Sequence, residues 1–162
     1  MESNKILKGY KYKKVHDIAS LSKILTFYTA YMIIQKYFIS LDKLLFSADE
    51  YDANIGGTKL KIEADNLMNI EDLLYALMLH SANNAATILA TNLGSYVQKK
   101  RNNSYFSCYD LPNENKNKNM AIFMDLMKHY AEELELETVS FDNVHGLSKN
   151  MASARDVAIL TS

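Results

Sequence analysis

Hydrophobic side chains follow one another almost without polar interruption from Ile24 to Ile34. A helix that is apolar on nearly every side is buried, and this run is too short and too rich in tyrosine to span a membrane. Asp17 can accept the free N–H groups of a first helical turn, so it is an N-cap candidate. The pattern therefore predicts a central buried helix from about Ala19 to Tyr37.

A second break in the pattern separates two more apolar helices. The first is predicted over residues 73–79, and the apolar positions resume over 85–93 until Gly94 predicts a helix end. Ser81 and Asn83 therefore lie on a short loop or kink between helices. Loops held by a buried scaffold often carry functional polar groups.

The rest of the chain has weaker patterns. An amphipathic helix is predicted over residues 120–136, and a capping box over 153–156 predicts a last helix through Leu160. Short extended segments are predicted at residues 5–7, 59–62 and 138–141. Residues 98–119 are polar and rich in Lys and Asn, and they are predicted to form an exposed, mobile loop.

Composition limits the classes of function. The 162 residues suit one domain, and 48% hydrophobic with 23% charged residues indicates a globular chain. A net charge of -1 gives no reason to expect nucleic acid or an anionic membrane as a partner. Cys108 is the single cysteine, and the chain has no C-x-x-C or H-E-x-x-H pattern, so we expect no disulfide, metal or other cofactor. The N-terminal residues do not resemble a signal peptide.

Ser20 and Lys23 form an S-x-x-K pattern at the start of the predicted central helix. Their i, i+3 spacing places both side chains on one helix face. A serine hydroxyl becomes a good nucleophile when a base takes its proton, and a lysine can be that base when burial lowers its pKa from ~10.4. By itself the pattern is weak, because a capped helix with a surface lysine has the same residues. Ordinary helix capping could likewise explain Ser81 and Asn83.

The series of motifs resembles the serine-type D-alanyl-D-alanine carboxypeptidases, the low-molecular-mass penicillin-binding proteins related to serine β-lactamases. Their motifs run in the order S-x-x-K, S-x-N and K-T-G. Residues 19–23 are similar to the first motif and residues 81–83 to the second. Other similar segments are residues 39–42, 56–58, 70–78, 84–86, 144–147 and 153–156. The resemblance covers nearly the whole chain except residues 98–119, which look like an insertion.

The chain also departs from the family pattern. Ile18 stands where the family usually has proline, Ala82 where it has glycine and Asn84 where it has aspartate. No K-T-G occurs in the 162 residues. The resemblance therefore implies an α+β fold that is mainly helical: one partial domain over residues 1–162, with the helical lobe, an incomplete antiparallel sheet and a truncation before K-T-G.

The resemblance also implies roles for four residues. Ser20 would attack the carbonyl between two D-alanines of a peptidoglycan stem peptide, or a β-lactam, and form an acyl-enzyme. Lys23 would be the general base, and Ser81 would pass a proton towards the leaving amine. Asn83 would hold Lys23 and the substrate backbone. The K-T-G strand normally supplies a second oxyanion donor and a lysine for the terminal carboxylate, so we expect impaired activity without it.

Two alternatives remain open. The chain could be a non-catalytic relative that binds a peptide or a partner through the old cleft or the exposed sheet edge. It could also be a relative of the serine β-lactamases. The segments Val144–Leu147 and Ser153–Asp156 favour the carboxypeptidase branch over the β-lactamases. The family acts outside the cytoplasm, although no signal peptide is predicted here.

Overall fold

Helix α1 occupies the centre of the fold, in a computed structural model that describes residues 8–107 and 115–162. Along the chain the elements are β1 (Val15–Asp17), a 3-10 helix (Ala19–Leu21), α1 (Ser22–Tyr37), β2 (Leu45–Ser47), α2 (Glu50–Asn54), β3 (Leu67–Asn69), α3 (Ile70–Leu79), α4 (Asn83–Arg101), α5 (Lys116–Glu133), β4 (Met151–Ser153) and α6 (Ala154–Leu160). Helices α3, α4 and α5 pack against α1. The mainly helical fold predicted from the sequence is confirmed.

The predicted central helix begins with a tighter turn than expected. Residues 19–21 form the 3-10 helix, and the α-helical part starts at Ser22. The prediction that Asp17 is the N-cap is wrong, because Ile18 takes that position, although the Asp17 Oδ1 does accept the Ala19 N–H at 3.0 Å. The helix ends at Tyr37, and the C-cap residue Phe38 takes a left-handed conformation with φ 52°. Ser20 is therefore in the 3-10 helix, and Lys23 is in the first turn of α1.

Helix α4 is buried along most of its length and forms the second half of the core. It was predicted to stop at Gly94, and this is wrong, because the helix continues to Arg101. A Cβ at Gly94 would collide with the backbone carbonyl of Asn119 on α5. Glycine at this position lets the two helices approach closely and does not end the helix.

Two antiparallel pairs of strands lie beside the helices. Strand β1 pairs with β4 in the register Val15 to Ser153, and β2 pairs with β3 in the register Leu45 to Asn69. The strand predicted over residues 59–62 is absent from the described chain. In the segment predicted as extended over residues 138–141, a single bridge joins Ser140 to Met151. The segment predicted over residues 5–7 lies outside the described residues.

The prediction of an exposed loop over residues 98–119 is wrong at both ends of the segment. Its first residues belong to α4 and its last to α5. Phe106 is 6% exposed and packs edge-on against Phe46, so part of the segment contributes to the core. Residues 108–114, which include Cys108, lie outside the described residues. The insertion relative to the family stays a prediction.

Asn69 and Ser153 are the N-caps of α3 and α6, and the second of these helix starts was predicted from the sequence. The Asn69 side chain accepts the Asp72 N–H at 2.7 Å, and the Ser153 hydroxyl accepts the Asp156 N–H at 3.3 Å. Asp156 does not complete a capping box, because its carboxylate accepts hydrogen bonds from Thr138 instead. None of the described helices is long and apolar enough to cross a membrane.

Candidate active site

The start of α1 brings Ser20 and Lys23 together. The Lys23 Nζ donates to the Ser20 Oγ at 3.0 Å and to the backbone carbonyl of His145 at 2.8 Å. Lys23 is only 2% exposed, whereas Ser20 is exposed. The nucleophile candidate therefore faces solvent, and the base candidate lies behind it in the protein.

The surroundings of Lys23 make it easier to deprotonate than a free lysine. Burial lowers the pKa of its ammonium to about 8. Within the described part of the chain, no carboxylate forms an ion pair with it. Its acceptors, the Ser20 hydroxyl and the His145 carbonyl, are both uncharged. A substantial fraction of neutral amine is therefore present near pH 8, and its lone pair can accept the Ser20 proton.

A turn over residues 143–147, here named the 143–147 turn, closes over the start of α1. The Thr26 hydroxyl donates to the Val144 carbonyl at 2.6 Å, one helical turn beyond Lys23. Gly146 has φ 85°, and a Cβ there would collide with the backbone of Ala19 and Ser20. Glycine is therefore required for both its conformation and the close approach.

Two asparagines, the half-buried Asn143 and the buried Asn150, hold this turn in place. The Asn143 Oδ1 accepts the N–H groups of His145 at 3.1 Å and Gly146 at 2.6 Å. Asn150 is fully buried, and its Nδ2 donates to the Asn143 carbonyl at 2.8 Å. The Asn150 carbonyl in turn accepts the Ile18 N–H at 2.8 Å. The 143–147 turn and the start of the central helix are thus fixed to each other.

The imidazole of His145 is neutral at physiological pH. Burial, and secondly the charge of Lys23, lower its pKa to about 4. Its Nδ1 accepts the Leu147 N–H at 3.2 Å. Since a neutral imidazole has one N–H, this hydrogen bond assigns the proton to Nε2.

Asn83 lies close to the 143–147 turn, with Gly57 between its side chain and Leu147. Its Nδ2 donates to the Gly56 carbonyl at 2.8 Å, and its own N–H donates to the Thr58 carbonyl at 2.8 Å. A Cβ at Gly57, which has φ 72°, would lie 2.6 Å from the Asn83 Nδ2 and 3.0 Å from a Leu147 methyl. Asn83 and the 143–147 turn therefore meet at Gly57.

Ser81 is half-buried in the connection between α3 and α4, as the sequence pattern predicts. The Ala82 N–H beside it donates to the Ala76 carbonyl at 3.0 Å. Among the described residues the Ser81 hydroxyl has no hydrogen-bond partner, so no such bond joins it to Ser20 or Lys23. Its convergence with those two residues stays a prediction.

A left-handed backbone conformation occurs at one of the four candidate site residues and directly before another. Ala19, directly before Ser20, has φ 44°, and Ser81 has φ 53°. Such conformations cost of order 1–3 kcal/mol and persist where the surrounding structure enforces them. Similar values at Lys11, Phe38, Asp65, Asn103 and Glu135 show that the feature is not confined to this site.

Sequence reasoning missed the residues that hold Lys23 and the turn. Thr26, Asn143, His145 and Asn150 were not identified as site residues. The segment 144–147 was noticed through the resemblance, but a hydrogen bond to a backbone carbonyl leaves no side-chain signal in a sequence. Within the described residues no group of three or more His, Cys, Asp or Glu side chains could hold a metal ion.

Comparison with known proteins identifies the family that this chain matches. The family model described as D-alanyl-D-alanine carboxypeptidase matches residues 1–113 and 114–162. The chain is 24% identical over 150 residues to the D-alanyl-D-alanine carboxypeptidase DacD of Escherichia coli. That alignment covers 88% of this chain and 33% of DacD, so the chain spans about a third of the length of this relative.

Solved structures show the same fold. The D-alanyl-D-alanine carboxypeptidase DacD of Francisella tularensis superimposes with a TM-score of 0.78 at 23% identity, over 99% of this chain and 33% of that one. Penicillin-binding protein 6B of Escherichia coli gives a TM-score of 0.75 at 22% identity, over 97% of this chain and 44% of that one.

Proposed function

Because the chain belongs to the D-alanyl-D-alanine carboxypeptidase family, we propose that it acts as a serine carboxypeptidase that forms an acyl-enzyme on Ser20. Its substrates would be peptides that end in D-Ala-D-Ala, as in the stem peptide of peptidoglycan. β-Lactams would acylate the same serine. No cofactor enters this chemistry.

The observation that carries the proposal is the 3.0 Å hydrogen bond between Lys23 Nζ and Ser20 Oγ. In the neutral form the Lys23 amine takes the proton of the Ser20 hydroxyl as the Oγ attacks the substrate carbonyl. The tetrahedral intermediate then expels the D-alanine amine and leaves an acyl-enzyme on Ser20. Water hydrolyses this ester and regenerates the serine.

Ser81 and Asn83 complete the proposed site. Ser81 would pass the proton to the leaving amine, and Asn83 would help to orient the substrate backbone. The Asn83 Nδ2 already donates to the Gly56 carbonyl, so its Oδ1 is the atom left to accept a substrate N–H. Its fixed amide, 3% exposed, favours a positioning role.

We expect this polypeptide of 162 residues to react slowly on its own. It contains no K-T-G, which in the family supports a second oxyanion donor and the binding of the substrate carboxylate. Removal of one oxyanion donor costs about 10²–10³ in rate. Poor positioning should slow acylation by a β-lactam less than acylation by a peptide, because the strained ring of the β-lactam supplies part of the driving force.

The proposal is tested by labelling with a fluorescent penicillin, followed by peptide mapping of the adduct. We expect faint, slow labelling on Ser20 that is absent in Ser20→Ala and unchanged in Ser40→Ala, an exposed serine remote in sequence. Labelling that persists in Ser20→Ala would contradict the assignment of the nucleophile. No adduct after prolonged exposure of the wild type would favour the non-catalytic alternative, a module that binds peptide without cleaving it.

A further inference from the structure

We propose that the imidazole of His145 is a positioning group for Lys23: by accepting the Leu147 N–H at Nδ1, it fixes the turn whose carbonyl holds the Lys23 ammonium beside Ser20. The role in catalysis that we assign to this hydrogen bond of Lys23 rests on the proposed function. The contact itself concerns the position of Lys23 and can be measured without a substrate.

The His145 carbonyl is held by the peptide unit to which it belongs. Its oxygen accepts Lys23 Nζ at 2.8 Å, and the Gly146 N–H of the same unit donates to the Asn143 Oδ1 at 2.6 Å. Both ends of this peptide plane are therefore bonded. The plane can rotate only if one of these bonds breaks.

The next peptide unit lacks such support except for the His145 ring. Gly146 has φ 85° and no side chain, so its own backbone preference does not fix the orientation of this unit. The Leu147 N–H that follows donates to the His145 Nδ1 at 3.2 Å. This ring contact closes the turn on itself and limits the freedom of Gly146.

The ring can accept this hydrogen bond only while its Nδ1 carries no proton. His145 is 7% exposed, and Lys23 is the charged group that bears on it. Both effects keep the imidazole neutral and prevent a second positive charge beside the base. A protonated ring would release the Leu147 N–H and repel Lys23.

Loss of the hydrogen bond from the Leu147 N–H to the His145 ring should change the pKa of Lys23. Lys23 Nζ has three donor positions, of which Ser20 and the His145 carbonyl occupy two. If the carbonyl moves away, the ammonium can turn towards solvent and recover hydration. Its pKa should then rise from about 8 towards the 10.5 of a free lysine, with less neutral amine available at pH 7.

The test compares two substitutions by NMR titration of isotope-labelled lysine side chains, with Lys23 assigned from Lys23→Met. His145→Asn keeps an acceptor, because an asparagine Oδ1 can take the place of Nδ1 and bond an N–H two residues on. His145→Leu keeps much of the volume but has no acceptor. We expect a Lys23 pKa close to that of the wild type in His145→Asn. In His145→Leu we expect a higher pKa, with at least about tenfold less neutral amine at pH 7.

Equal Lys23 pKa values in the wild type and His145→Leu would overturn the proposal, as would an equal rise in both variants. Should His145→Leu fail to fold, nitrogen NMR of the wild type decides the question. We expect an unprotonated Nδ1 at pH 7 that is coupled to the Leu147 N–H across the hydrogen bond. A protonated Nδ1 would overturn the proposal. Because no substrate is present, failure here is distinct from failure to label Ser20.

Discussion

Lys23 Nζ lies 3.0 Å from Ser20 Oγ and is enclosed on its other side by the 143–147 turn. The base candidate is thus nearly dehydrated, although its serine partner faces solvent. Burial rather than a neighbouring cation sets its pKa. This asymmetry allows one helix start to supply both the nucleophile and the base.

Acylation of Ser20 should depend on pH through Lys23. Only the neutral amine can accept the serine proton, and the pKa of Lys23 is about 8. The rate should therefore increase about tenfold between pH 7 and pH 9 and then level off. Rates of labelling by a fluorescent penicillin give the profile. Lys36→Ala, at the exposed far end of α1, should leave it unchanged, whereas a rate that is flat or falls over this range would exclude Lys23 as the base.

Lys23 should also reduce the stability of the fold. Because its folded-state pKa is below that of the unfolded chain, the unfolded state binds more protons between about pH 8 and 10.5, and the stability of the wild type rises over that interval. Lys23→Met removes the buried ammonium and should stabilise the protein at pH 7. This advantage should shrink as the pH approaches 10.5. Urea unfolding at both ends of the interval measures it, and a variant less stable than the wild type at pH 7 would contradict the prediction.

The sequence predicted the pairing of Ser20 with Lys23 because an i, i+3 spacing on one helix leaves little choice of geometry. It also predicted the connection between α3 and α4, where the apolar period breaks at Ser81. The start of α6 was predicted for the same local reason, since Ser153 caps its own helix.

Long-range backbone contacts could not be predicted in this way. Gly94 was interpreted as a helix end because its role depends on Asn119, a residue on another helix. The loop boundaries failed similarly, since Lys116 has charged partners more than sixty positions away. The contact of His145 with Lys23 is made by a backbone carbonyl, which every residue type carries.

Gly146→Ala should push the 143–147 turn away from the backbone of Ala19 and Ser20. Its Cβ would collide with the Ala19 and Ser20 backbone, and its φ of 85° is unfavourable for alanine. We expect a loss of a few kcal/mol of unfolding free energy and no penicillin labelling. Gly56→Ala is the matched control, because no atom lies within 4 Å of its added Cβ. Equal stability of both variants would show that the 143–147 turn moves freely.

Asn84→Asp should be destabilising even though aspartate is usual in the family. The buried Asn84 amide donates to the Leu60 carbonyl at 2.9 Å and accepts the Leu60 N–H at 3.0 Å. A carboxylate would lose the donor and face a carbonyl oxygen, which costs about 1–3 kcal/mol. The loss should be smaller near pH 4, where the acid is protonated and can donate again. Thermal unfolding measures both values, and exposed Asn117→Asp should change stability little at either pH.

Lys116, the first residue of α5, is bonded to two carboxylates of a distant part of the chain. Its Nζ lies 2.5 Å from Asp49 and 3.3 Å from Asp52, and 4.6 Å from the ring centre of Tyr51. Burial alone would raise the pKa of Asp49, but hydrogen bonds from Lys116 and the Asp52 N–H hold it below its ordinary value. At Asp52 burial dominates and raises the pKa, despite hydrogen bonding from Thr87. The start of α5 is therefore tied to α2 through a nearly enclosed charge cluster.

Lys116→Met should leave two buried carboxylates without a counter-charge, at a cost of about 3 kcal/mol or more at pH 7. Without the lysine, the folded-state pKa of both carboxyls rises above that of the unfolded chain. The folded protein then binds the extra protons, so the stability of the variant falls as pH rises through this interval. The loss of unfolding free energy relative to the wild type, here called the deficit, should consequently be larger at pH 7 than near pH 4. Urea unfolding at the two pH values measures the deficit, with exposed Lys118→Met on the same helix as the control. A deficit no larger than that of the control would mean that α5 begins independently of α2, as expected for a loosely attached polar loop.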